Sequence, residues 1–251
     1  MSEPSNEIFV RTWPLAGAKG TVVIVHGLAE HSGRYEHVAQ ALNAAGYAVS
    51  AFDHRGHGRS VGFPGDMGTD VDRLIGDVVA QCEAAKQQTD KVFLLAHSMG
   101  TLFALPAAIE VPFGTLAGLV LSGVALVPLI APSDDGAAIS ASAISRDPAV
   151  VKAYEDDPLV FKQELPAALV EKAAEVFGRA NDAVEKITIP VLLLHGTADQ
   201  LTSIEGANKV YAELVISDKT MKAYDGLYHE VLNEPEKGEV IGDLVAWLDA
   251  H

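Results

Sequence analysis

Short continuous runs of apolar residues, separated by stretches with helical apolar spacing, set the rhythm of this chain. Residues 21–25, Thr-Val-Val-Ile-Val, form a β-branched run with no charged position. Residues 47–52, 92–97, 116–122 and 190–195 repeat that apolar character. Such runs fit strands buried on both faces of a parallel sheet. Residues 8–13 alternate loosely and predict an early strand, and 221–224 predict a late one. Between them, residues 35–45 carry helical apolar spacing and stop at Gly46, a good helix stop. Residues 71–88 place Val71, Leu74, Ile75, Val78, Val79 and Cys82 on one helical face. Residues 204–215 and 239–248 predict two more helices. The helix after residue 98 contains Pro106, which is expected to kink it or end its first part. Alternating strands and helices predict an α/β fold, with a mostly parallel central sheet and helices on both faces.

One stretch breaks the rhythm. Residues 123–189 contain no convincing buried strand. They begin with a proline-punctuated apolar segment, pass through small residues at 133–145, and end in helical patterns around 167–179. So long an excursion inside a domain predicts an inserted helical cap, residues 123–189, over a core made of residues 1–122 and 190–251. The Ala, Ser, Gly and Asp content of 134–142 predicts weak packing and mobility there. An apolar edge at 126–130 would allow transient contact with a membrane or micelle.

The totals narrow the field. With 251 residues and 49% hydrophobic content, the chain is long enough for one α/β domain with an insertion. A formal net charge of −16 opposes phosphate backbones, so nucleic acid is not an expected partner. No apolar run reaches membrane-spanning length, and the first residues lack the basic and apolar regions of a signal peptide. The single cysteine, Cys82, cannot form an intrachain disulfide. Together these features predict a cytoplasmic protein. His54-x-x-His57 lies among glycines and lacks further ligands, so neither a metal nor another cofactor is expected.

The chemistry begins where the run at 92–97 ends in Ala96-His97-Ser98-Met99-Gly100. A strand, a sharp turn and a helix would lift Ser98 clear of the backbone, much as the G-x-S-x-G elbow of α/β-hydrolases does. A serine nucleophile needs a histidine base, an acid to orient it, and donors for the oxyanion. Downstream, the strand at 190–195 leads to Asp199 and the strand at 221–224 leads to His229. All three residues then occupy loops at the carboxyl edge of the sheet, in the order Ser, Asp, His. Ser98 would attack an acyl carbonyl, His229 would carry its proton to the leaving group, and Asp199 would hold the imidazole. Asp225 is the rival acid, with a turn role beside Gly226 as its other reading. The amides of Met99 and Leu28 are the expected oxyanion donors. His97 is expected to point away from Ser98, His195 to be structural, and His26 to brace the loop before Leu28.

These residues resemble the monoacylglycerol lipases of the α/β-hydrolase superfamily over nearly the whole chain. The resemblance rests on the segments 26–35 (HGLAEHSGRY), 53–60 (DHRGHGRS), 97–100 (HSMG), and 195–199 (HGTAD) with 228–230 (YHE). It implies Ser98, Asp199 and His229 as a triad, and Leu28 and Met99 as the oxyanion hole. It also implies that Glu30, Arg34 and Tyr154 help hold a glycerol moiety, with a salt bridge steadying the loop as another use of Glu30 and Arg34. The expected partner is a small ester or monoacylglycerol. Ala96 and Thr101 depart from the family's usual glycines, and the cap front at 126–144 is short. The short cap predicts a preference for short and medium acyl chains. Other readings are a broader small-ester carboxylesterase, a peptidase or thioesterase on the same scaffold, and a non-catalytic binding protein of this fold.

Overall fold

Strand β4 (Val92–His97) lies at the middle of the sheet, and all six of its residues are buried. The computed structural model describes residues 8–127, 139–163 and 167–251, without the side chains of 167–170. Among these, seven strands form one sheet. In chain order they are β1 (Val10–Trp13), β2 (Thr21–Val25), β3 (Ala48–Phe52), β4, β5 (Leu116–Ser122), β6 (Val191–Gly196) and β7 (Lys219–Tyr224). Their spatial order is β1-β3-β2-β4-β5-β6-β7. β1 runs antiparallel to β3, and every other pair is parallel. The edge strand β7 carries Lys219 and Lys222, charges that discourage further pairing.

The continuous apolar runs have a simple cause. Successive side chains of a strand face opposite sides, and here both sides are covered. Val92, Leu94 and Ala96 of β4 enter one core, while Phe93 and Leu95 enter the other. β2 divides in the same way, Val23 and Val25 against Val22 and Ile24. The helices are α1 (Glu36–Ala44), α2 (Val71–Lys86), α3 (Met99–Glu110), α4 (Pro148–Asp156), α5 (Ala167–Val184), α6 (Ile204–Glu213) and α7 (Lys237–Ala250). Residues of α2, α3, α5 and α6 fill the first core, and residues of α1 and α7 fill the second.

Three features depart from the sequence reading. Pro106 does not end α3, which runs unbroken to Glu110. A proline inside a helix costs about 3 kcal/mol. Here Leu102, Phe103, Leu105 and Ala107 are packed into the interior around it, and that burial offsets the lost bond. α4 is the second feature. It is a helix that the apolar pattern did not single out, although Asp147 caps it through Ala149 N and Pro148 occupies its first turn. Third, the ends of the 123–189 excursion pack into the sheet. Val124, Ala125 and Leu126 are buried, and so are Val176, Ala180, Ala183 and Val184 of α5. Leu126 is therefore not part of an exposed edge, because it leaves β5 directly over the first core. The rest of the expected apolar edge and most of the small-residue stretch, 128–138, lie outside the described residues. No helix of the described residues is long and apolar enough to cross a membrane.

Candidate active site

The turn between β4 and α3 is built around Ser98. Its φ of 51° and ψ of −125° are rare for a residue with a side chain. Such a conformation costs about 1–3 kcal/mol and persists only where the surroundings enforce it. Gly100 shows one source of the enforcement. A Cβ on it would sit 2.6 Å from the carbonyl oxygens of both Val25 and His26, so α3 starts hard against the end of β2. Thr101 supplies another. Its hydroxyl donates to Ser98 O at 2.6 Å and accepts from Ala125 N at 3.2 Å, tying the turn to the segment after β5. Ala96 is fully buried in the first core. Thus Ala96 and Thr101 fill their positions, and Thr101 adds bonds that glycine could not make.

Asp199 and His229 follow β6 and β7. These two loops meet at Gly196, where a Cβ would lie 2.2 Å from Leu227 O and 2.3 Å from Tyr228 O. The approach brings His229 Nδ1 to 2.8 Å from Asp199 Oδ2. Asp199 also accepts from Thr202 Oγ1 at 2.9 Å on Oδ2, and from the amides of Leu201 and Thr202 at 2.8 and 3.0 Å on Oδ1. Burial works against the Asp199 carboxylate, but His229, a bond from His195 and the Thr202 amide outweigh it and lower its pKa. Burial also works against the His229 imidazolium, yet Asp199, Glu230 and Glu30 outweigh that and raise its pKa. Asp225 is exposed and accepts from Thr197 Oγ1 in a turn, so it is not the partner of His229.

A small cavity beside Ser98 is lined by Leu28, Glu30, Ile144, Tyr154, His229 and Glu230, among others. Met99 opens α3, so its amide belongs to the first turn, where no intrahelical acceptor exists. Glu30 Oε1 accepts from Gly27 N at 2.6 Å and from the Tyr35 hydroxyl at 2.8 Å, which fixes the loop that carries Leu28. Arg34 sits between two buried carboxylates. It donates to Glu30 Oε2 at 3.2 Å and to both oxygens of Glu230 at 2.5 and 2.8 Å. Burial opposes ionisation of both acids. The bidentate Arg34 outweighs it at Glu230, whose pKa is lowered, while Glu30, beside Glu230, is raised. Tyr154, from α4, places its ring 4.9 Å from the Arg34 guanidinium. Its hydroxyl is buried with no partner among the described residues. α4 is fastened to the Leu28 loop by His31 Nε2 to Asp157 Oδ2 at 2.9 Å and by Phe161 N donating to Ala29 O at 2.9 Å.

Two histidines, expected to point away from Ser98 and to be structural, both lie beside the proposed reacting set. The first is His97. Its ring lies 4.6 Å from that of His229 and borders the same cavity. Strand alternation sends it to the face opposite Ser98, but at the end of β4 the His229 loop crosses over that face. Burial and His229 lower its pKa to about 3, so it is uncharged at neutral pH. His195 is buried inside β6 and reaches Asp199 Oδ2, at 3.3 Å. Residues not foreseen from sequence include Thr202 and the pairing of Glu230 with Arg34. Glu230 had one signal, its place directly after His229. His26 braces the loop, donating from Nδ1 to Gly27 O at 2.7 Å and accepting from His54 N at 2.9 Å.

Relatives match the chain over almost its full length. The family described as Hydrolase_4, serine aminopeptidase S33, matches residues 16–236. A monoacylglycerol lipase of Mycolicibacterium smegmatis is 35% identical over 95% of this chain and 91% of its own. The human monoglyceride lipase is 32% identical over 96% of this chain and 86% of its own. Among solved structures, the monoacylglycerol lipase of Paleococcus ferrophilus superposes with a TM-score of 0.83 at 34% identity, covering 98% of this chain and 99% of that one. The chain belongs to the Hydrolase_4 (serine aminopeptidase, S33) family of α/β-hydrolases and, within it, to the branch that contains the monoacylglycerol lipases.

Proposed function

We propose that this protein is a serine carboxylic-ester hydrolase that cleaves monoacylglycerols to glycerol and a fatty acid, using Ser98, His229 and Asp199. The carrying observation is the 2.8 Å bond from His229 Nδ1 to a buried Asp199, beside a serine held at positive φ. With Nδ1–H committed to Asp199, Nε2 of His229 is left to take the Ser98 proton. Ser98 Oγ attacks the acyl carbonyl, and the amides of Leu28 and Met99 receive the oxyanion. His229 then protonates the departing glycerol oxygen. Water, deprotonated by the same nitrogen, attacks the acyl-Ser98 ester and releases the acid and the free serine.

Glu30, Arg34 and Tyr154 hold the glycerol end in this reading. The unpartnered Tyr154 hydroxyl supports it best, since a buried O–H without an acceptor gains most from a ligand hydroxyl. Arg34 orients this end while bound to its two carboxylates. The excursion after β5 acts as the cap, with Ile139, Ile144 and Tyr154 facing the cavity. Its shortness favours short and medium acyl chains. A passing contact with a micelle or membrane belongs to the same proposal, restricted by the −16 charge to uncharged surfaces.

Ser98→Ala tests the core of the proposal. Turnover of a short-chain monoacylglycerol should fall by about a thousandfold or more, with the thermal midpoint unchanged. Wild-type protein should react with an alkyl phosphonate and the variant should not. Turnover that survives the substitution removes Ser98 as nucleophile.

A further inference from the structure

We propose that His195 is a positioning residue of this site, its Nε2–H holding the Asp199 carboxylate in the orientation that receives His229. The inference rests on the reading of Ser98, Asp199 and His229 as the reacting set. His195 lies near the end of β6, four residues before Asp199, and is fully buried. Its Nε2 is 3.3 Å from Asp199 Oδ2 and 3.2 Å from Thr202 O. Both neighbours are acceptors, so an N–H at Nε2 serves both. Its Nδ1 is buried with no partner among the described residues.

That unpartnered nitrogen is informative. A buried polar atom without a partner costs about 1–3 kcal/mol, and a leucine would fill the space without it. Packing alone therefore does not account for an imidazole here. The Nε2 side does. Asp199 Oδ2 faces His229 Nδ1, Thr202 Oγ1 and His195 Nε2, while Oδ1 faces the amides of Leu201 and Thr202. By bridging Oδ2 and Thr202 O, His195 ties the carboxylate to the same turn whose amides hold Oδ1. The carboxylate cannot rotate without breaking bonds on both oxygens. The donor also spreads the Oδ2 charge, moderating its pull on the His229 proton. The other titratable groups facing His229 are His97, Glu230 and Glu30, and none of them touches His195 in a described bond.

The test compares His195→Leu, His195→Gln and His195→Asn. The glutamine amide nitrogen reaches the place of imidazole Nε2, whereas that of asparagine stops at the place of Nδ1. Losing a bond to a charged group should lower kcat about tenfold in the leucine and asparagine variants, with KM changed by less than about twofold. The acidic limb of the kcat/KM profile should move to higher pH, because a less neutralised Asp199 holds the His229 proton more tightly. Glutamine should restore both kcat, to within about threefold, and the position of the limb. Wild-type kcat in the leucine variant overturns the inference. So does a glutamine variant as impaired as leucine, or a loss of kcat with the limb unmoved. Should the leucine variant fail to fold, a glutamine variant no better than asparagine overturns it equally. Wild-type turnover separates the two readings. An inactive wild type removes the reacting set and this inference with it, and an active wild type with unaffected variants removes the inference alone.

Discussion

His229 carries the pH dependence of this site. As the proposed base it works only when Nε2 is unprotonated. Burial pushes its pKa down, but Asp199, Glu230 and Glu30 push harder and leave it above the ordinary 6.5. Hydrolysis should therefore fall as pH drops through a midpoint above 6.5, read from a kcat/KM profile. Asp199→Asn should move that midpoint down and cost about 10⁴-fold in kcat. Asp199 also links pH to stability. Its folded pKa is lowered, so its contribution is fully present above the ordinary 3.8 and is lost as pH falls below it. Tyr154→Phe tests the glycerol end. KM for a monoacylglycerol should rise about three- to tenfold, the worth of one neutral hydrogen bond, while a p-nitrophenyl ester without hydroxyls is little affected. Ser98, Asp199 and His229 were legible in the sequence because each follows an apolar run and the three fall in order. Thr202 and His195 lie within four residues of Asp199, but only the turn after β6 brings them onto its carboxylate, and the approach of His97 to His229 crosses loops that no local pattern records.

Elements position these residues through a few close approaches. The start of α3 is pressed onto the end of β2 at Gly100, where a Cβ would meet two backbone oxygens at 2.6 Å. Backbone yields far less readily than the tip of a side chain. Gly100→Ala should destabilise the fold by about 1–3 kcal/mol and lower turnover, since α3 must move away and carry Ser98 and Met99 with it. Thermal denaturation and an ester assay on the same preparation check both halves, and an unchanged midpoint with full activity would contradict the contact. α3 also shows why local rules mislead. Pro106 predicts a kink or an end, but the helix is surrounded by the first core and its buried side chains carry it on to Glu110. α4 illustrates the converse. Its Asp147-Pro148 start is a clear helix signal, yet the helix is only nine residues long and buries Tyr154 alone, so it left little pattern inside the excursion.

Across the molecule, two apolar cores lie on either side of one sheet, and the loops at its carboxyl edge hold the proposed reacting set. In the proposed reading the excursion after β5 acts as the cap and sets which esters enter. Rates on monoacylglycerols of increasing acyl length should peak at short or medium chains, and an optimum at long chains would reject the short-cap reading. What the sequence determined by itself was the α/β architecture, together with Ser98, Asp199 and His229 as candidates for one site. Buried parallel strands leave continuous apolar runs, and catalytic loops follow those runs at fixed places. What only the tertiary structure decided was the surroundings of those three residues. Arg34 sits between Glu30 and Glu230 from a distant loop. Tyr154 presents from α4 a hydroxyl with no partner among the described residues. His195 reaches the same oxygen of Asp199 that faces His229. The first two depend on distant segments meeting at one edge and the third on the turn after β6, and such contacts leave no period in the chain from which to read them.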